Sequence, residues 1–184
     1  MTKFGAYGIA RSASAAALDG DLARVMEEIQ VRGFSALPSL IPLETVDRLN
    51  GQMDEIYARQ CAEVGGEAAL ASMNDADIAR CLLAYSDDYM SLATHPAMIA
   101  VAQALLGENL VLLMQNGVIN RPGRRQAQAS WHRDLNYQHW VCSRAISMSA
   151  LVCLEDFNPE TGGTTFLPGS HLIENFPSEA IVEQ

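Results

Sequence analysis

An imidazole and a carboxylate stand two positions apart in Ser130-Trp131-His132-Arg133-Asp134, in a chain that has only four histidines. On extended backbone, residues i and i+2 point to the same side. His132 and Asp134 can therefore converge on one point while Arg133 faces away. A neutral imidazole with a carboxylate supplies two of the three ligands of the facial triad that binds Fe(II) and leaves coordination positions open. The H-x-D spacing alone is a weak signal, because short motifs recur by chance. Two tryptophans, Trp131 and Trp140, flank it, with Tyr137 and His139 between them.

The charge distribution bears on what such a site would take. The net charge is −10 over 184 residues, which disfavours non-specific nucleic-acid binding. Arg121, Arg124, Arg125, Arg133 and Arg144 nevertheless cluster around the motif, and no lysine or arginine follows. A local positive field in an acidic protein suits an anionic small ligand, although solvated surface arginines would give the same pattern. Cys61, Cys81, Cys142 and Cys153 form no C-x-x-C pair, and Met1 to Ala17 has no continuous apolar core of a signal peptide. No apolar run reaches membrane-spanning length, so a cytoplasmic protein with reduced thiols is expected.

The elements that must position the motif divide into two stretches. With 49% hydrophobic and 18% charged residues, 1–184 is expected to form one domain with its own core. Residues 1–108 are read as a mainly helical scaffold. Leu22, Val25, Met26 and Ile29 share one helical face closed by Gly33, and Val46, Leu49, Met53 and Ile56 share another after Pro42. Phe34 to Leu37 reads as a short strand. Asn74 and Asp75 are expected to cap a helix through Leu83, Ser86 to cap a short turn, and His95-Pro96 to open a helix ending at Gly107. From Asn109 the composition changes. Leu110 to Asn120 predicts a buried strand, Ala145 to Leu154 an alternating one, and Thr164 to Leu167 another, with turns at Asn158–Gly163 and Pro168–Ser170. Helices followed by strands make the fold class α+β, with the strands of a sandwich or jelly roll.

Trp131-His132-Arg133-Asp134, followed after a strand by Gly162-Gly163-Thr164-Thr165-Phe166-Leu167-Pro168-Gly169-Ser170-His171, resembles the phytanoyl-CoA dioxygenase family. The N-terminal order of helix, Gly-Phe strand and second helix resembles it too. That resemblance implies a double-stranded β-helix, a cupin-like jelly roll with N-terminal helices. It also implies Fe(2+) with 2-oxoglutarate as cosubstrate, and hydroxylation of a small organic substrate. By the same resemblance His132 and Asp134 would be metal ligands, and Asn120 would lie near 2-oxoglutarate. Gln115 faces either the core rim or the active-site cavity and is the second cofactor candidate. Trp131, Tyr137 and Trp140 are the candidates for lining the substrate space.

One departure matters. The family's second iron-binding histidine and a 2-oxoglutarate-anchoring arginine lie beyond its P-G-S-H segment, and neither occurs between His171 and Gln184. The expectation is a jelly roll incomplete at its C-terminal side, carrying only 109–184 of its first strands. Such a domain exposes unpaired edges and is open to homo-oligomer formation. Two other readings remain: a non-catalytic jelly-roll binding module, and a cupin-like metalloenzyme that adds His171 to His132 and Asp134 without 2-oxoglutarate.

Overall fold

The helices begin and end where the chain supplies a reason. A computed structural model describes residues 19–37, 40–124, 129–135 and 141–182. Helix α1 (Asp19–Arg32) runs into Gly33, whose φ of +89° takes the chain out of the helix. Helix α2 (Leu43–Val64) starts directly after Pro42, whose fixed φ suits a helix entrance, and stops at the left-handed Gly65. Short α3 (Glu67–Ser72) follows, then strand β1 (Ile78–Ala79), short α4 (Met90–Ala93) and α5 (Pro96–Leu106). Strand β2 (Gly117–Val118) pairs antiparallel with β1, Ile78 opposite Val118 and Ala79 opposite Gly117. A last short helix, α6, spans Glu179–Val182.

Two apolar clusters hold these elements together. The larger gathers Leu49, Met53, Ile56 and Tyr57 of α2 with Leu70, Ala79, Leu82, Tyr89 and Leu92. The smaller joins Val25 and Met26 of α1 to Val101 of α5. The expected stripe on α2 is therefore a core face, extended by Tyr57 and Gln60, with Val46 half-buried at its edge. His95 caps α5 by accepting the amide of Ala97 at 3.2 Å, and Ser86 caps Asp87–Tyr89 by accepting that of Asp88. Tyr89 is fully buried, and its hydroxyl donates to the Leu49 carbonyl at 2.7 Å.

The helix expected from Asn74 to Leu83 does not form. Asn74 and Asp77 take positive φ, a conformation in which short polar side chains bond locally in place of a helical turn. The Asp77 amide then donates to the Tyr57 hydroxyl at 2.8 Å, and the chain continues as β1.

The expected strands of 109–184 depart further. Among the described residues, β1 and β2 make the only sheet, so the jelly-roll ladder is not seen. Leu110 to Asn120 is not a buried strand: only Gly117–Val118 pair, and Val111 is 86% exposed beside exposed Leu112, Leu113 and Met114. A strand gains by pairing both edges and covering a face, and nothing among the described residues does either for 110–114. The alternation after Ala145 still has one effect. Val152 and Leu154 pack on the larger cluster and Met148 on the smaller, while Leu151 and Cys153 are exposed. Phe34 and Phe166, each expected on a strand, meet by ring stacking at 5.0 Å and not through a ladder.

The turn after Phe166 is bound to α1. Gly169 donates its amide to the Arg32 carbonyl at 2.8 Å, and His171 Nε2 lies 3.1 Å from the Gln30 carbonyl. These contacts satisfy carbonyls that a helix C-terminus leaves free. The His171 ring occupies the space beside Gly33: a Cβ there would stand 2.6 Å from its Nδ1. Gly33→Ala is expected to cost about 2 kcal/mol in urea unfolding, from the positive φ and the clash together. Adding His171→Ala should restore the steric part only.

Burial, and secondarily the Asp88 charge, push the Tyr89 pKa up to about 12 from 10.0. The folded state therefore holds this proton more tightly than the unfolded chain. Stability from that difference is complete below pH 10 and falls as pH rises from 10 to 12. Tyr89→Phe should flatten that alkaline slope in thermal melts, while losing the bond to Leu49.

Candidate metal centre

The approach to the H-x-D motif is built on α2. Gln60 grips the backbone of Arg80, donating to its carbonyl at 2.7 Å and accepting its amide at 2.9 Å. Tyr57 accepts the Asp77 amide, and the Asp77 carbonyl accepts the amide of Ile119 at 2.9 Å. The Asp77 carboxylate, 5% exposed, takes Arg121 Nε at 2.6 Å and Arg124 Nη1 at 3.4 Å. Arg121 also lies over the Tyr57 ring, 5.7 Å from its centroid, and Arg124 pairs with Glu67 of α3. Asp77 holds the Arg121 pKa above its ordinary value, and Glu67 first, then Asp77, does so for Arg124. These two arginines are charge-paired within the fold.

At the motif, His132 and Asp134 come together. His132 Nε2 stands 3.8 Å from Asp134 Oδ1, and both side chains are open to solvent, 50% and 63% exposed. His132 Nδ1 is 2.8 Å from the Ser130 carbonyl. A carbonyl can only accept, so a hydrogen on Nδ1 would be held by Ser130, and Nε2 is the ring nitrogen that faces Asp134. Cis ligands about 2.1 Å from an ion stand about 3 Å apart, so a small inward movement would let the pair share one ion. The donor set, an imidazole nitrogen and a carboxylate, suits Fe(II) chemically. Arg133 is turned away, its guanidinium donating to the carbonyls of Ile173 and Asn175. Leu135 directly after the motif has φ +56°, a left-handed conformation unusual for a branched residue. The motif itself is irregular chain, not the strand end expected.

The other sequence candidates separate. Trp131 stays beside the pair in sequence and is 40% exposed. Tyr137 and Trp140 lie outside the described residues. Gln115 faces the core rim: its Nε2 donates to the Tyr89 carbonyl at 3.0 Å, and its buried Oε1 has no partner among the described residues. Asn120 donates to the carbonyls of Thr161 and Gly162, at 3.2 and 3.1 Å, and so holds the Asn158–Gly163 turn. His171 is seated on α1, and among the described residues it forms no metal-holding group with the pair. Among the described residues no third His, Cys, Asp or Glu joins His132 and Asp134 as a metal-holding group. Sequence reasoning missed Asp77. The signal is present in Asn74-Asp75-Ala76-Asp77, a run of turn-formers where a helix interior is expected.

The sequence model of the Phytanoyl-CoA dioxygenase (PhyH) family matches residues 29–184. The chain belongs to that family. The match includes both the H-x-D stretch and the P-G-S-H turn, so the family resemblance rests on more than the His132–Asp134 pair. An uncharacterized protein of Mycobacterium tuberculosis, Rv1501, is 21% identical over 157 residues, covering 82% of this chain and 56% of its own length. Its Mycobacterium bovis counterpart Mb1539 matches to the same extent. The dioxygenase olcK of Penicillium canescens is 23% identical over 178 residues, 89% of this chain and 58% of that protein. The chain thus spans somewhat over half the length of these curated relatives. No solved structure matches it.

Asn120→Ala is expected to lower stability by about 1 kcal/mol in urea unfolding, because two turn carbonyls lose their donor. An unchanged midpoint would show that the Asn158–Gly163 turn holds without it.

Proposed function

We propose that this chain carries the histidine–carboxylate half of an Fe(2+) centre in a 2-oxoglutarate-dependent dioxygenase that hydroxylates a small organic substrate on a jelly-roll scaffold. The observation that carries the reading is the His132–Asp134 pair, with Nε2 facing the carboxylate at 3.8 Å, inside a family match that spans most of the chain. A relative named as a dioxygenase supports it. When bound, Fe(2+) with 2-oxoglutarate and O2 supplies the oxidising chemistry, and the cosubstrate leaves as succinate and CO2.

The chain's own residues would bind and orient. The Ser130 carbonyl would hold a hydrogen on His132 Nδ1, the usual way a backbone acceptor prepares an imidazole for a metal. Asp134 supplies the anionic ligand. Arg133 tethers the motif to 173–175, and Trp131, with Tyr137 and Trp140, would line the substrate space. Asn120 and Gln115 act in this proposal as supports behind the site, since their amide groups are engaged with backbone carbonyls. His171 is not a ligand here, because its ring is seated on α1, which weakens the cupin-like alternative. No single described helix is long and apolar enough to cross a membrane. A cytoplasmic setting would suit cysteines held in the thiol form.

The test is anaerobic titration with Fe(II) and then 2-oxoglutarate, followed by the weak visible charge-transfer band of the ternary complex. Fe(II) binding should be seen with the unaltered chain and fall by more than about tenfold in His132→Ala and Asp134→Ala. Binding of Fe(II) that neither substitution weakens by more than about tenfold would overturn the assignment.

A further inference from the structure

We infer that Asp77 is the positioning residue for the His132–Asp134 pair, fixing the arm that delivers the motif. The inference rests on the metal reading of that pair. Three observations carry it. Asp77 uses every polar group it has: its amide on Tyr57, its carbonyl on Ile119, and its carboxylate on Arg121 and Arg124. It sits at φ +61° and its side chain is 5% exposed, so the carboxylate cannot swing out to water without breaking the turn. The two arginines lie on the last described stretch before the motif, 117–124, whose only regular pairing is the two-residue ladder with β1.

Two residue pairs of ladder are a weak hold on an arm. The ion pairs add what the ladder lacks. Removing a partner from a buried charge is far more costly than the net worth of the pair, so a buried carboxylate keeps its guanidinium partners in one geometry. Arg121 is further confined over the Tyr57 ring, and Arg124 reaches Glu67 on α3. The arm is thereby locked to α2, β1 and α3 at once. Downstream, Arg133 holds the motif from the other side on Ile173 and Asn175. In sequence the His132–Asp134 pair stands between these two anchors.

Both tryptophans of the chain, Trp131 and Trp140, flank the motif, so tryptophan fluorescence reports on it alone. The test compares the unaltered chain with Asp77→Asn, which keeps the tolerance of left-handed backbone and removes the charge. It is made at a temperature where far-UV circular dichroism shows both fully folded. Acrylamide quenching of tryptophan should rise about twofold. Co(II) affinity should fall about tenfold, as when a second layer of support behind a metal ligand is removed. A uniformly structural role would lower the melting temperature and leave both readouts in place. If Asp77→Asn does not fold, Arg124→Gln tests the solvent-facing side of the same contact and should move quenching and affinity in the same direction. A folded variant with unchanged quenching and unchanged Co(II) affinity overturns the inference. Should the unaltered chain bind no Co(II) that depends on His132, the metal reading fails by itself, and quenching alone decides whether Asp77 anchors the arm.

Discussion

A buried carboxylate with two guanidinium partners joins the helical part of this protein to the stretch that carries the motif. Asp77 lies where α2, β1 and the Arg121–Arg124 turn meet, and its backbone amide and carbonyl are engaged along with its side chain. The contact is demanding in a way an apolar one is not. Charges removed from water need partners at defined distances and angles, whereas packed methyl groups tolerate rearrangement. The consequence is directional. The apolar clusters decide that the helices associate, and the Asp77 contact decides where the chain leaves them.

Among the described residues, the remainder of 109–182 is attached by separate contacts. Val152 and Leu154 reach the larger cluster, Met148 reaches the smaller, Phe166 stacks on Phe34, and the Pro168–His171 turn seats on the end of α1. Each is a point of attachment and none is a ladder. Exposed Val111, Leu112, Leu113 and Met114 precede them in sequence, an uncharged apolar run in a chain of net charge −10. Unpaired extended chain with apolar side chains is the material from which sheets are completed, and also the material that associates when it is not covered. The family to which the chain belongs has a cupin-like fold.

The helices are legible because their signals are local. Pro42, Ser86, His95 and the glycines at 33, 65 and 107 act within a few residues of themselves, and the apolar spacing of α1 and α2 follows from the helical period. The stretch that sequence misreads, 74–83, fails for the same reason. Asn and Asp serve equally as helix caps and as left-handed turn residues, and the choice goes to the turn because Tyr57, on another element, offers the Asp77 amide a partner. The strands are legible as composition but not as pairing, because a strand's stability lies in neighbours that its own sequence does not contain.

By itself the sequence determined the chemistry available at the motif: an imidazole and a carboxylate at a spacing that lets them converge, with an arginine between them directed elsewhere. It also determined the family, since two motifs in order are more specific than either alone. Only the tertiary structure decided which conspicuous residues support the site from outside it. His171 went to the carbonyls of α1, Asn120 to the turn at 158–163, Gln115 to the core rim, and Arg121 and Arg124 to Asp77. Each of those choices pairs a donor with an acceptor tens of residues away or more. Residue type fixes what a side chain can bond, but which partner lies within about 3 Å is settled only when the chain has folded.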